Sequence, residues 1–446
     1  MKISLFEPLR LKFEHANWAQ NPEFGLLDTI LELHPELIKI VEDDITKGSK
    51  QSDFGRQDMP SVEQIVRAAI YKEMKNLDYR ELEHAQTDSR ICEQFVKIDR
   101  LRPYSFQVLQ KYISRITEDN LQTLLVALNK VAINEGLEDI EKVRQDSTVV
   151  STNIHYPTNN SLVWDCIKES HRLLGHLAEE INGLAFRDYT VSGKKIFFKI
   201  NNTKSGDKRT ELFKKQLVTF TKCINQVSNV VKKEPACSVK TLSIQIALEQ
   251  VLPVMQQVFS MTERKEIKGE AVPNDKKLFS IYEQHTDIIV KGGREVQFGH
   301  KINLSTGKSN LILSCDVLKG NPSDSTLYQP TMDSIISKYG VTPRDSATDG
   351  GFASKANSDY AVGIGIKNIV FNKIVGSLKN IVSSSNIETR LKKWRSGIEA
   401  NISNFKRGFN IRCCTWKGEA HFKAKVLWSA IAYNIRVMTA AVLLQL

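Results

Sequence analysis

One strand-like segment, separated from the next strands by a long helical block, limits the possible folds most. Val143–Asn153 is rich in β-branched residues and indicates a strand. Helical periodicity then runs through three amphipathic segments, at about 161–186, 207–233 and 239–261, joined by polar connections such as Asn201–Arg209. A helical block that follows one strand and precedes others predicts a helical insertion between strands of one sheet.

Strand patterns resume after the helical block. Residues 286–291, 296–304 and 310–318 read as strands, with turn signals at Gly292-Gly293 and 306–308, so an antiparallel meander is expected. A helix over 325–339 and a strand over 367–371 follow. Strands in series followed by alternating helix and strand predict an α/β fold with a mixed sheet.

The N-terminal third reads as helical. Residues 1–58 include a linker-like stretch, Asp43–Gln57, and a helix is expected to open at Ser61. Short helices at about 78–86, 90–96 and 104–116, followed by a longer one over 120–135, fit either a helix-turn-helix DNA-binding domain or a small structural bundle. The domain boundaries predicted are 1–58 for an N-terminal segment, 59–140 for an all-α N-terminal domain, 141–160 with 280–446 for the core, and 161–279 for the helical insertion.

Charge and cysteine content narrow the function classes. The 446-residue chain has a net charge of +11, which makes an acidic partner such as nucleic acid plausible. Its seven cysteines are scattered without a C-x-x-C pair, which argues against a zinc ribbon or disulfide framework and for a reducing compartment. No signal peptide is evident in Met1–His15, and the apolar run 437–446 is too short to span a bilayer. We therefore expect a cytoplasmic protein with no membrane association.

A charged helical segment lies late in the chain. Arg395, Glu399 and Lys406 are spaced by four and then seven residues, which puts them on one face of a helix. Ile398, Ile402 and Phe405 form an adjacent apolar stripe that can pack against a core. Taken alone, this pattern fits an ordinary surface helix with charge pairs.

Two aspartates upstream change that interpretation. Asp146 lies within the first strand, and Asp349 ends a later one; a mixed sheet can place the two strands side by side. Together with Glu399 they would supply the oxygen ligands that Mg²⁺ or Mn²⁺ prefers. Two such ions about 3.5–4 Å apart can activate an attacking oxygen and stabilise a leaving oxygen in phosphoryl transfer. Any one of these aspartates alone is more often a turn former or a helix cap.

Other acids and motifs fit this chemistry less well. Glu388 and Glu419 lack an Arg and a Lys at matching spacing, and Asp345 is expected to precede the strand. The sequence contains no G-x-x-x-x-G-K-(S/T), H-E-x-x-H or G-x-S-x-G motif. The sequence therefore gives no support for a zinc protease or a serine hydrolase. It also gives none for a nucleotide-driven motor, so no nucleotide cofactor is expected.

The chain resembles the DDE transposases of bacterial insertion sequences, in the broad group related to insertion sequences four and five. Asp146-Ser-Thr resembles their first acidic motif, and Asp349-Gly-Gly-Phe352 resembles their D-x-G-(F/Y) motif. Arg395, Glu399 and Lys406 match the R-(3)-E-(6)-K core of their C-terminal signature. The family often has Tyr three positions before that Arg, where this chain has Lys392. The resemblance implies an RNase H-like core with a helical insertion.

The resemblance also implies an activity and its residues. Asp146, Asp349 and Glu399 would form the metal-binding catalytic triad, with two Mg²⁺ ions or Mn²⁺ in their place. Such an enzyme binds the terminal inverted repeats of its element, cleaves each end and joins the freed 3′-OH to double-stranded target DNA. Pairing two ends implies a homodimer in a synaptic complex associated with the nucleoid. DNA contacts would come from Arg395, Lys406, Arg407, Lys392, Lys393, Trp394 and Arg412.

Three rivals remain open at this level. A decayed transposase could act as a DNA-binding repressor without catalysis, although all three acids are present. A metal-dependent nuclease of the same fold would cut without joining. A glycosidase using two carboxylates is disfavoured by the positive net charge.

Overall fold

The N-terminal third of the chain is a succession of helices. The computed structural model describes residues 2–4, 10–12, 21–48, 59–233, 238–290, 295–374 and 377–443. Part of the predicted linker, the turn at Gly292-Gly293 and Cys237 lie outside these residues. The first elements are the antiparallel pair β1 (Lys2–Ser4) and β2 (Arg10–Lys12), then α1 (Pro22–Leu33), α2 (Glu36–Lys39), α3 (Glu42–Thr46), α4 (Val62–Lys75), α5 (Tyr79–Asp88), α6 (Arg90–Val96), α7 (Phe106–Ile113) and α8 (Glu118–Asn134).

Local sequence signals explain where two of these helices begin. Ser61 caps α4, and its hydroxyl accepts a hydrogen bond from the Gln64 amide while the Gln64 side chain accepts one from the Ser61 amide. Asp78 and Glu81 form the same reciprocal box at the start of α5. Such boxes satisfy backbone donors that a helix start leaves unpaired. The helix predicted to open at Ser61 is confirmed.

A second compact unit, Thr152–Phe298, is mainly helical. It follows β3 (Lys142–Thr152), and its helices pack around buried residues such as Phe220, Leu174 and Met255. A single turn of π-helix, Glu263–Ile267, extends the last helix. The elements are α9 (Asn159–Glu180), α10 (Thr190–Asn201), α11 (Asp207–Lys233), α12 (Val239–Thr262) and the short strand β4 (Asp287–Ile289).

One helix of this unit was not predicted. The first helical segment was expected to reach residue 186, but α9 ends at Glu180 and α10 follows as a separate helix. Gly193 near its start weakens the helical signal in the sequence. A Cβ at this glycine would lie 3.2 Å from Ile167 Cδ1, so α10 is held by close packing on α9 and not by its own propensity.

The remaining elements complete the first unit, which contains Met1–Ser151 and Gly299–Leu446. Helices α1–α8 therefore cluster with the sheet, and a separate domain ending at residue 140 remains a prediction. The elements are β5 (Gln297–Thr306), β6 (Ile312–Val317), α13 (Tyr328–Tyr339), β7 (Asp345–Asp349), α14 (Lys355–Gly363), β8 (Asn368–Asn372), α15 (Ser385–Gly408), β9 (Cys413–Cys414) and α16 (Glu419–Leu443).

The sheet of this unit is mixed. Its order is β6-β5-β3-β7-β8, and β9 also pairs with β3. Strand β5 is antiparallel to both β6 and β3, whereas β3, β7 and β8 run parallel. The predicted α/β class with a mixed sheet is confirmed. The strand β7 begins at Asp345 and not after it, because Asp345 already pairs with Lys142 of β3 and Asn368 of β8. Its carboxylate, 2% exposed, contacts Arg344 and Asn368.

Helix α16 lies in the core of the first unit. It contacts α8, α4, α1 and β6, and its Trp428 is fully buried. By length and composition this helix could cross a membrane, but most of its apolar stretch is buried, as in the core helix of a globular unit. The Asn434 side chain joins three elements: it donates to Asn129 Oδ1 and to Ile312 O, and it accepts from the Ile312 amide, each at 2.8 Å.

Candidate active site

Asp146 and Asp349 come from neighbouring parallel strands. In the register of β3 with β7, Gln145 lies opposite Thr348, so the next positions are the two aspartates. Side chains at matching positions of paired strands point to the same face of a sheet. The two carboxylates therefore share a face near the carboxyl end of β7, as the sequence predicted for these strands.

Glu399 is brought to this face by α15. Ser384 caps the helix, which packs against β7 and β8, where buried Leu391 clusters with Ala347 and Val370. Ile398 and Phe405 on the same helix are also buried. The predicted apolar stripe is thus confirmed, since Ile402 is also partly buried in the core. This packing fixes which face of α15 meets the sheet.

The guanidinium of Arg395 lies among the three carboxylates. Its Nη2 is 2.9 Å from Asp146 Oδ2 and 3.7 Å from Asp349 Oδ2, and its Nη1 is 3.4 Å from Glu399 Oε1. Arg395 is 4% exposed, and its Nε has no hydrogen-bond partner among the described residues. By contrast, the Glu399 side chain is 71% exposed. The three predicted acids therefore converge on one buried cation.

A second buried arginine lies under this site. Arg144 Nε donates to Thr306 Oγ1 at 3.0 Å, Nη2 donates to Asn310 Oδ1, and Nη1 donates to the Trp394 carbonyl. Its guanidinium also lies 4.8 Å from the centre of the Trp394 ring. Burial lowers the pKa of Arg144 to about 10. A Cβ at Gly397 would lie 2.6 Å from Arg144 Nη1, so glycine there permits α15 to approach this arginine.

The turn after Asp349 depends on close backbone approach. A Cβ at Gly350 would lie 2.5 Å from the Lys373 carbonyl oxygen, and one at Gly351 would lie 3.2 Å from Asp324 Oδ2. Glycine at these two positions therefore lets the chain pass close to Lys373 and Asp324. Asp324 itself accepts from Ser147 Oγ at 2.8 Å and pairs with Lys301 at 2.6 Å.

Sequence reasoning missed both Arg144 and the pair of Asp324 with Lys301. Arg144 stands two residues before Asp146 in the strand, a spacing that places both on one face of the sheet. That spacing is the one feature of the sequence from which a role for Arg144 could have been predicted. Asp324 sits in a 3₁₀ turn far from any motif, and only the fold brings it beside Ser147 and Gly351.

The other predicted DNA contacts are differently placed. Lys406 Nζ donates to the Val149 carbonyl of β3 at 2.6 Å, and Lys392 pairs with Glu388 at 2.6 Å. Trp394 is half-buried against Arg144. The exposed side chains are those of Lys393, Arg407 and Arg412, with the Arg407 guanidinium bonded to Ser403 Oγ.

The acids considered as alternatives lie in other surroundings. Glu388 contacts Lys392 and Asn380, and these hydrogen bonds lower its pKa. Glu419 pairs with Lys423 at 3.4 Å. Neither forms an ion pair with Arg395 among the described residues. In that same part of the chain, no group of three or more His, Cys, Asp and Glu side chains is arranged to hold a metal ion.

The comparison with known families bears on the carboxylate cluster. Residues 274–435 match the family model of the transposase DDE domain. This range contains Asp349, Arg395, Glu399 and Lys406, whereas Asp146 lies before it. No curated protein and no solved structure matches the chain. The match to the transposase DDE domain supports a transposase that acts on DNA. Two of the three acids in the cluster, Asp349 and Glu399, lie within the matched residues.

Proposed function

We propose that the chain is a DDE transposase of the insertion-sequence type with an RNase H-like catalytic core. It would bind terminal inverted repeats, cleave the DNA at the element ends and join the 3′-OH to target DNA. The observation that carries this proposal is the convergence of Asp146, Asp349 and Glu399 on Arg395, with two of these acids in the matched domain.

The proposed catalytic residues are the three acids. Carboxylate oxygens such as these, from two strands and one helix, are the ligands that Mg²⁺ prefers. Arg395 lies between them, so binding of Mg²⁺ would require the guanidinium to move. Bound Mg²⁺, or Mn²⁺ in its place, would supply Lewis-acid activation for phosphodiester hydrolysis. Arg395 holds the mutually repelling carboxylates together, and Arg144 with Gly397 sets the depth of α15 against the sheet.

The proposed DNA contacts surround this cluster on α15 and the segment after it. Exposed cations at Lys393, Arg407 and Arg412 can meet backbone phosphates directly. Lys392, Trp394 and Lys406 would first have to leave their present partners, namely Glu388, Arg144 and the Val149 carbonyl. Arg395 would reach a phosphate only after release from the carboxylates.

The assembly and location follow from this proposal. Pairing of two element ends requires a dimer or larger synaptic complex acting on cytoplasmic, nucleoid-associated DNA. No nucleotide cofactor is needed, because the energy of the phosphodiester bond is conserved in strand transfer. A catalytically inactive repressor and a nuclease that does not join ends are the alternatives.

The experiment that tests the proposal is cleavage and joining of labelled DNA that carries the element's inverted repeats. With Mg²⁺ we expect nicks that leave a 3′-OH, followed by products joined to a target duplex, and no reaction in EDTA. Binding without cleavage would favour the repressor, and cleavage without joining would favour the nuclease. Failure to bind DNA in a mobility-shift assay would contradict all three.

Replacing Arg395 by glutamine tests whether the guanidinium competes with a divalent cation. Without metal, we expect the variant to be less stable by about 3 kcal/mol, because the ion pair between the buried guanidinium and Asp146 is lost. Added Mg²⁺ or Mn²⁺ should raise the melting temperature of the variant more than that of the wild type, since a ligand stabilises the state that binds it. The measurement is thermal unfolding against metal concentration.

Arg407→Gln is the matched control, because this exposed arginine lies on the same helix and contacts Ser403 instead of an acid. It should unfold like the wild type with and without metal. Equal metal-induced shifts in the wild type and the Arg395 variant would show that the guanidinium does not occupy the cation position.

A further inference from the structure

Positive charge is concentrated in one stretch of the helical unit. Residues 190–222, which cover α10 and most of α11, contain eight lysines and Arg209 against only Asp207 and Glu211. The net charge of this stretch is +7, out of +11 for the whole chain. A functionally neutral surface would share its basic residues more evenly with acids, so this segregation needs an explanation.

The charges lie on the outer faces of the two helices. Along α11, Lys208, Lys215 and Lys222 are exposed at seven-residue intervals, which correspond to two helical turns and about 10 Å. The same helix turns Phe213 and Phe220 inward, and both are buried. Helix α10 adds further exposed cations at Lys194, Lys195 and Lys199. We call these outward-facing residues of α10 and α11 the basic face.

Few acids neutralise the basic face. Among the described residues, its one ion pair joins Lys214 to Glu211 at 2.6 Å. Arg209 lies over the Phe213 ring at 5.7 Å, and Phe198, which is 51% exposed, stands between lysines on α10. Unpaired lysines on rigid helices present a field of one sign, which attracts a partner with closely spaced negative charges.

We propose that the basic face binds duplex DNA through its phosphate backbone, without reading the base sequence. The proposal rests on the proposed function only in that DNA is the substrate. Lysines act as point charges toward phosphates, and their release of counterions makes such binding strongly salt-dependent. A membrane fits less well, because the apolar face of α11 is buried in its own unit and a surface helix needs that face to enter lipid.

The test is a full-length variant in which Lys195, Lys208, Lys215 and Lys222 are all changed to glutamine. Its matched control carries the same change at four exposed lysines outside the basic face: Lys47, Lys130, Lys276 and Lys319. The dissociation constant for a labelled duplex without inverted repeats is measured by fluorescence anisotropy over a range of salt concentrations. Circular dichroism melting checks that both variants fold.

We expect the basic-face variant to bind this duplex at least about tenfold more weakly. The plot of log association constant against log salt concentration should also become less steep, by about 3 in slope. The control should change neither quantity by comparable amounts. Equal behaviour of the two variants would overturn the proposal. Loss of binding to phosphatidylserine vesicles, with DNA binding intact, would assign the face to a membrane instead.

This experiment separates the inference from the proposed function. If the wild type cleaves inverted-repeat DNA but the basic-face variant binds duplex like the control, the inference alone fails. If no protein binds DNA at all, the proposed function fails with it. At saturating protein, the basic-face variant should still cleave, because it retains Asp146, Asp349 and Glu399.

Discussion

Glu399→Gln is expected to reduce Mg²⁺-dependent cleavage of inverted-repeat DNA by on the order of a thousandfold or more. The amide keeps the shape of the side chain but removes the negative charge that a divalent cation needs. The Glu399 side chain is 71% exposed, so its loss should leave the melting temperature nearly unchanged. End binding, measured by mobility shift, should stay within about twofold of the wild type.

Glu388→Gln is the control for this prediction. Glu388 lies on the same helix, and it pairs with Lys392 and not with Arg395. This variant should cleave at nearly the wild-type rate. If instead Glu399→Gln cleaves normally and Glu388→Gln or Glu419→Gln does not, the third catalytic acid lies elsewhere. In that case, the convergence of Glu399 on Arg395 would be an ordinary helical ion pair.

Glu73→Gln is expected to lower the free energy of unfolding by about 3–5 kcal/mol. Glu73 is 2% exposed; one carboxylate oxygen lies 3.2 Å from Lys72 Nζ, and the other accepts from Lys425 Nζ. Both lysines are themselves buried, so neutral glutamine would leave two buried cations without a counter-charge. Urea denaturation at neutral pH would measure the loss.

The pH dependence of stability gives a second check on this cluster. Burial by itself would raise the pKa of Glu73, but the charges of Lys425 and Lys72 outweigh it and hold the pKa below its ordinary value. The Glu73 carboxyl has a higher pKa in the unfolded chain than in the folded one. Its ionised form therefore contributes fully to stability above the unfolded pKa, and this contribution is lost as the pH falls through the folded pKa. The variant and the wild type should therefore converge in stability at acidic pH.

A matched hydrophobic replacement distinguishes lost pairing from lost packing. The triple variant Lys72→Met, Glu73→Leu and Lys425→Met removes all three charges together and should recover most of the stability. Glu118→Gln, which breaks a partly exposed pair with Lys423, should cost no more than about 1 kcal/mol. If Glu73→Gln also lowered the free energy of unfolding by no more than about 1 kcal/mol, Glu73 would not be needed to balance the two buried lysines.

The Glu73 cluster also accounts for one aromatic residue near the C-terminal helix. Lys72 Nζ lies 5.1 Å from the centre of the Trp416 ring and 4.9 Å from that of Tyr79. Trp416 packs on Tyr79 of α5, with ring centres 5.9 Å apart, and is thus part of the contact that α4 and α5 make with the segment before α16.

The sequence was informative about the carboxylates because strand ends and helical spacing are local properties. Asp146 and Asp349 could be expected on adjacent strands, and Glu399 on a helix beyond them. The position of Arg395 could not be predicted. The spacing of Arg395, Glu399 and Lys406 shows that they share one face of a helix, but not whether that face meets solvent or the sheet. Its burial depends on Gly397 and Arg144, which contact each other only through tertiary packing.

The pairing of Ser151 with Gly299 has a consequence for folding. These residues face each other across β3 and β5, although the whole unit Thr152–Phe298 lies between them in the chain. Closing a disordered loop of that length costs conformational entropy, and such distant contacts slow folding. A helical unit that forms first fixes the separation of its own ends, so β5 can find β3 as if the two strands were joined by a short connection. On this view, early folding of the helical unit would speed the formation of the sheet, although its helices are not part of the sheet.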